Sequence, residues 1–238
     1  MILVLWDIDR TLLYVGNTDR LVYREVFREI VGRDAQQLPA RGTGVTMPLA
    51  VRELLSANGV PEADTDELAR LMVDRLPGQL NRHREELRRD GHLMPGAVEA
   101  MVAVHQSQLF VPTIVTGNLR ASAEIKLSAF SLTDYVDMTV GGYASDDSHR
   151  PALVRIAQSR ATAVYDHPFN RQNTVIIGDS LQDVRTGQQG GAAVVGVASG
   201  TTSAERLAAA GADYVIADLT DPGRVVELIH TVAGRAAP

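Results

Sequence analysis

The sequence predicts an α/β fold: a parallel sheet with helices on both faces, interrupted early by a helical insertion. Three observations predict it. The apolar run Ile2–Trp6 reads as a strand buried on both faces. Nothing between about Asn17 and Gly91 resembles a second buried strand, while helical patterns recur there. After Pro95-Gly96, short apolar runs alternate with amphipathic stretches, the pattern of parallel strands joined by crossover helices. At 238 residues the chain is long for one minimal domain and short for two full ones. We therefore expect an α/β core from residues 1–16 and 92–238, with a helical cap at 17–91.

Each element has its own signal. Val22, Val26 and Ile30 recur every four residues beside Leu21 and Phe27, so an amphipathic helix starts near Thr18, with Thr18 as its N-cap. Further cap helices are expected at 49–57, 66–76 and 80–89, with Gly, Pro and Thr between them. In the core, helix 97–106 precedes strand 111–115, and helix 121–130 precedes a weaker strand, 136–140. Helix 151–161 precedes strand 174–177, helix 181–189 precedes strand 193–197, and helix 204–210 precedes strand 214–216. A last helix covers 223–233, before a loose Gly-Arg-Ala-Ala-Pro tail.

Composition removes whole classes of function. The chain has no cysteine, which excludes disulfides, thiolate nucleophiles and cysteine metal sites. Its net charge of −6 argues against nucleic acid or an anionic membrane as partner. The first apolar run is too short and too soon acidic for a signal peptide, and no run approaches the roughly 20 residues that span a bilayer. A cytoplasmic protein is expected. Of 23 basic residues only Lys126 is a lysine. No Walker phosphate loop can exist, because Ile125 precedes that lysine. The six histidines show no metal-ligand spacing.

In open α/β sheets, ligands bind beyond the carboxyl ends of the strands. The first strand ends in Asp7-Ile8-Asp9-Arg10-Thr11. Strand 111–115 ends in Thr116-Gly117-Asn118. Strand 174–177 ends in Gly178-Asp179-Ser180, with Asp183 four residues after Asp179. If these three strands are neighbours, several carboxylates and a hydroxyl share one mouth. Clustered carboxylates repel unless a cation joins them, and an all-oxygen donor set suits Mg²⁺. One carboxylate can attack phosphorus. A second, two residues on, emerges on the same side and can move protons. Thr116 and the N–H groups of Gly117 and Asn118 open a helix, a favourable place for phosphate oxygens.

These residues, together with a basic residue before a helix, resemble the four motifs of the haloacid dehalogenase-like hydrolases. The nearest likeness is the phosphoglycolate phosphatase-like branch, with a helical cap after the first motif. The likeness covers 2–13 and 93–215 in order; the cap matches only in position and helical character. It implies a Rossmann-like core and an Mg²⁺-dependent phosphatase acting on a small phosphorylated metabolite. By resemblance, Asp7 is the nucleophile and a metal ligand. Asp9 is the general acid/base and binds the metal through its carbonyl. Thr116 holds the phosphoryl group, Asp179 completes the metal site, and Asp183 is a further ligand or its support. Thr11, Gly178 and Ser180 support the loops.

The family's third motif is usually a lysine. Here Arg150-Pro151 stands in its place, 34 residues after Thr116. Arginine offers a phosphate a fork of donors and a permanent charge. Arg150 is favoured over Lys126, which lies two turns into the helix after Thr116 and should be carried away from the mouth. Arg10 departs from the family, which commonly has glycine there. It points to solvent or touches substrate. Arg41 and Thr43, in the loop between cap helices, select substrate or form a plain linker. Asn118 is explained as well by helix capping as by substrate contact. The arginines at 82–89, interleaved with glutamates, read as a solvated face.

Three functions stay in play: a phosphatase, a phosphomutase on the same scaffold, and a non-catalytic phosphate-ligand module. A dehalogenase would not need Asp9. Phosphonate cleavage in this family uses a cap lysine, and this cap has none.

Overall fold

The computed structural model describes residues 1–39 and 44–234. Strand β1 (Ile2–Trp6) sits near the middle of a six-stranded sheet. The other strands are β4 (Phe110–Thr116), β5 (Gly142–Tyr143), β6 (Thr174–Gly178), β7 (Ala193–Val197) and β8 (Tyr214–Ile216), in the spatial order β5-β4-β1-β6-β7-β8. All pairings in this sheet are parallel. Residues alternate between two apolar layers: Val4, Trp6, Val175 and Ile177 lie in one, Leu3, Leu5, Val111 and Ile176 in the other. Both faces are buried, so β1 has no polar position until Asp7.

The helices crossing between strands are α5 (Ala97–His105), α6 (Arg120–Ala129), α7 (Arg150–Tyr165), α8 (Leu181–Gly190) and α9 (Ala204–Ala209), and α10 (Pro222–Ala233) follows the last strand. Between residues 17 and 91 the described elements are all helical: α1 (Thr18–Val31), α2 (Met47–Ala57), α3 (Glu62–Arg82) and α4 (Arg84–Asp90). They pack on one another, and α3 and α4 also reach α6. A short antiparallel pair, β2 (Leu13–Tyr14) with β3 (His92–Leu93), joins the two chain crossings into this helical layer. No helix among the described residues is long and apolar enough to cross a membrane.

Four sequence expectations need correction. The strand expected at 136–140 does not form; the edge strand is β5. Val136 and Val140 are buried, which produced the apolar signal, but Asp137 accepts hydrogen bonds from the N–H and hydroxyl of Thr139 and turns the chain. The break expected between 76 and 80 is absent, because α3 runs through Pro77. Proline removes one helical hydrogen bond there, and buried Leu76 and Leu80 hold the turn. Asn17, not Thr18, is the N-cap of α1. The face at 82–89 is not wholly solvated: Arg84 Nη2 donates to Ser128 Oγ and Arg88 Nε to the Ala129 carbonyl, each at 3.0 Å.

Candidate active site

The sheet order makes β4 and β6 the two neighbours of β1. Their carboxyl ends therefore bring Thr116, Asp7 and Asp179 to one place. The Asp7 N–H donates to the Ile177 carbonyl at 3.0 Å, which fixes the end of β1 against β6. Buried Ile8 points the opposite way, so Asp7 and Asp9 leave the strand on the same side. The chain then turns through Arg10, whose φ of 66° lies in the left-handed region that favours glycine. Its guanidinium stands 4.7 Å over the Tyr14 ring. Thr11 is fully buried, with its hydroxyl 3.3 Å from Asp7 Oδ2 and 3.4 Å from Asp179 Oδ1.

Asp183 is the N3 residue of α8, and Ser180 is its N-cap. The pair forms a capping box: the Asp183 N–H donates to Ser180 Oγ at 3.2 Å and the Ser180 N–H to Asp183 Oδ2 at 2.9 Å, and the Ser180 hydroxyl also donates to Oδ2 at 2.6 Å. That leaves Asp183 Oδ1 facing Arg150. A β-carbon at Gly178 would overlap the Asp183 carboxyl, so this approach needs glycine. One oxygen each from Asp7, Asp179 and Asp183 lies within 4.8 Å of the others, and all three residues are buried. These are hard oxygen donors close enough together to share one divalent cation, whose remaining positions would be filled by other oxygens.

Arg150 opens α7 and is buried, so it is not a surface arginine. Its Nη2 lies 2.7 Å from Asp7 Oδ1 and also bonds Asp183 Oδ1. Its Nη1 donates to the Gly44 carbonyl. Its Nε is buried without an acceptor among the described residues. Burial works against the guanidinium charge, but Asp183, Asp7 and Asp179 outweigh it and hold the group protonated.

Lys126 overturns the expectation that its helix carries it from the mouth. It is fully buried, and Nζ lies 2.8 Å from Asp9 Oδ1 and 2.8 Å from Asp19 Oδ2. Asn118 is not a helix cap either: Leu119 takes that position in α6. The Asn118 amide donates instead to Asp9 Oδ2 at 2.7 Å and Thr116 Oγ1 at 2.8 Å. Gly117 faces the Val45 carbonyl so closely that a β-carbon would stand 2.7 Å from its oxygen.

Burial pushes the Asp7 carboxyl well above its ordinary range, and the charge of Asp183 adds to the effect. Asp179 is pushed up to about 6, by burial and then by Asp183. Its Oδ2 accepts from the Thr201 N–H at 2.8 Å and the Thr201 hydroxyl at 2.9 Å. Thr201, Gly200 and Asp19 were missed in the sequence. Thr201 follows the end of β7, so the strand-end rule extended one strand further would have found it.

A cavity of about 180 Å³ lies between the strand ends and the helical layer. Asp7, Asp9, Thr116, Gly117, Asn118, Arg150, Asp179 and Ser180 form its floor. Arg10, Tyr14, Asp19, Arg20, Tyr23, Gly44 and Val45 are among its other lining residues. The described part of the loop before α2 therefore faces the site, while Arg41 and Thr43 lie outside the described residues.

A parallel sheet with an acidic, arginine-bearing cavity at its strand ends is the arrangement of a hydrolase built on a Rossmann-like core. The chain belongs to the haloacid dehalogenase-like hydrolase family, whose model matches residues 4–188. It is 28% identical over 147 residues to Probable phosphatase IndB of Dickeya dadantii (strain 3937). That match takes in 61% of this chain and 56% of the relative, so the chain spans little more than half of the relative's length. The fold is shared with a hydrolase from Pseudomonas syringae at a TM-score of 0.69, 22% identity, 96% of this chain and 99% of that one. It is shared also with a β-phosphoglucomutase from Clostridium difficile at a TM-score of 0.67, 16% identity, 98% of this chain and 97% of that one.

Proposed function

We propose that the protein is an Mg²⁺-dependent phosphatase that hydrolyses a small phosphate monoester through an aspartyl phosphate on Asp7. The observation that carries this reading is the position of the Asp7 carboxylate. It is buried at the cavity floor, within ligand distance of Asp179 and Asp183, and 2.7 Å from Arg150 Nη2. Asp7 and Asp179, with the Asp9 carbonyl, would hold the cation, and Asp183 would support them. When bound, Mg²⁺ supplies positive charge that relieves the carboxylate repulsion and stabilises a phosphoryl group.

The residues divide the work as follows. An Asp7 oxygen attacks phosphorus, the bond from phosphorus to the leaving oxygen breaks, and Asp9 gives that oxygen a proton. Asp9 then takes a proton from a water that attacks the same phosphorus. The phosphorus–Asp7 bond breaks, and inorganic phosphate leaves. Thr116, the Gly117 and Asn118 N–H groups, and the Arg150 guanidinium would be the donors for the phosphoryl oxygens. The helical layer at 17–91 acts as the cap over a core of 1–16 and 92–238, limiting water during the first transfer. A cavity of about 180 Å³ suits a small leaving group.

The test is a phosphate-release screen over many phosphomonoesters with Mg²⁺. Release that requires Mg²⁺ supports the reading. An isomerised sugar phosphate without net release would make the enzyme a mutase. Tight anion binding with no turnover on any ester would make it a binding module.

A further inference from the structure

The single lysine of the chain is completely buried. An ammonium in the interior is strongly unfavourable unless carboxylates hold it. Two do. Asp9 belongs to the loop after β1, and Asp19 belongs to the first turn of α1. Lys126 itself comes from α6, so one ammonium ties together three separate segments. The same helix α6 is the one that α3 and α4 pack against. Lys126 does not line the cavity and is therefore not a phosphate ligand.

Asp9 is held on both oxygens, by Lys126 at 2.8 Å and by Asn118 at 2.7 Å. Its carboxylate cannot turn without breaking one of these contacts. Asn118 fixes it to the floor through Thr116. Lys126 fixes it to the helical layer through Asp19. The two supports differ in kind: Asn118 is neutral and lies wholly within the core, whereas Lys126 is an ammonium whose second carboxylate, Asp19, stands beside it only while α1 is docked.

We propose that Lys126 is a positioning residue, which seats the Asp9 carboxylate at the cavity and makes that seating depend on the docking of α1 through Asp19. This rests on Asp9 being the group that moves protons. Opening the cap to admit substrate would separate Asp19 from Lys126 and loosen Asp9. Closing it would restore the clamp before the leaving oxygen needs its proton.

Two esters separate this role from a structural one. The p-nitrophenolate leaving group needs little protonation, whereas the alkoxide from glycerol 3-phosphate needs a proton as it departs. In Lys126→Met, kcat/KM, which reports the first transfer and not the hydrolysis common to both esters, should fall about 100-fold on glycerol 3-phosphate but less than about tenfold on p-nitrophenyl phosphate. Asp19→Asn, which keeps the Lys126–Asp9 pair, should show the same pattern more weakly. Equal losses on both esters, or no loss, would overturn the proposal.

A second readout needs no turnover. Lys126 carries the only ε-amine of the chain, so its acetylation can be located by peptide mass. It should be protected in the wild type and acetylated at least several-fold faster in Asp19→Asn. Unchanged protection would overturn the coupling to α1. A wild type that turns over neither ester, nor any in the wider screen, defeats the phosphatase reading, and the labelling then decides the clamp alone.

Discussion

Arg150 Nη2 lies 2.7 Å from Asp7 Oδ1, and both side chains are buried. The same nitrogen bonds Asp183, and Nη1 reaches the Gly44 carbonyl in the loop before α2. One planar guanidinium thus bridges two carboxylates and anchors the loop above them. An ammonium is a single point charge and cannot hold this fork.

Arg150→Met should leave two buried carboxylates facing each other. We expect a loss of about 3 to 5 kcal/mol in urea unfolding without divalent cation. Saturating Mg²⁺ should recover part of it, because a cation replaces the lost charge. Arg150→Lys should keep most of the stability and raise KM for phosphate esters.

The metal-free protein should become less stable as pH rises. Asp179 is pushed up to about 6 from an ordinary 3.8, so the folded state holds its proton more tightly than the unfolded chain does. That contribution is complete below about pH 4 and is lost as pH rises through about 6. Two pK units amount to about 3 kcal/mol at most. Urea midpoints at pH 4.5, 5.5 and 6.5 should decline without Mg²⁺ and flatten with it.

Gly200 is the place where a single methyl should test the metal site. A β-carbon there would overlap the Asp179 carboxyl. Gly200→Ala must push Asp179 off its contacts with Thr201. Isothermal titration should show Mg²⁺ binding weakened about tenfold or more, with unfolding otherwise close to wild type.

Arg10 stands in a backbone conformation suited to glycine. Arg10→Gly and Arg10→Ala both remove its stacking on Tyr14, but only glycine relieves the backbone. The glycine variant should be more stable than the alanine variant by about 1 kcal/mol in thermal melts. Both should raise KM if Arg10, which lines the cavity, touches substrate.

The core strands were legible because burial on both faces leaves an unbroken apolar run, as in β1, β6 and β7. The two-residue β5 has no such run, and buried valines in the turn near Asp137 imitated one. Motif order picked out Asp7, Asp9, Thr116, Arg150 and Asp179, but that β4 and β6 flank β1 is a tertiary fact with no local signal. Lys126 was misplaced for a different reason. It lies three residues after Ala123 and next to Leu127, both fully buried, so helical periodicity already put it on the inward face. Counting turns from Thr116 ignored that face and the reach of a four-carbon stem.

The central claim is that Asp7 is the nucleophile of an Mg²⁺-dependent phosphatase. The most direct measurement is phosphate release by the wild type and Asp7→Asn, side by side, on the best ester from the screen, with and without Mg²⁺. The account predicts Mg²⁺-dependent release by the wild type and none above background from Asp7→Asn, with both proteins folded. Turnover by Asp7→Asn at the wild-type rate would contradict it.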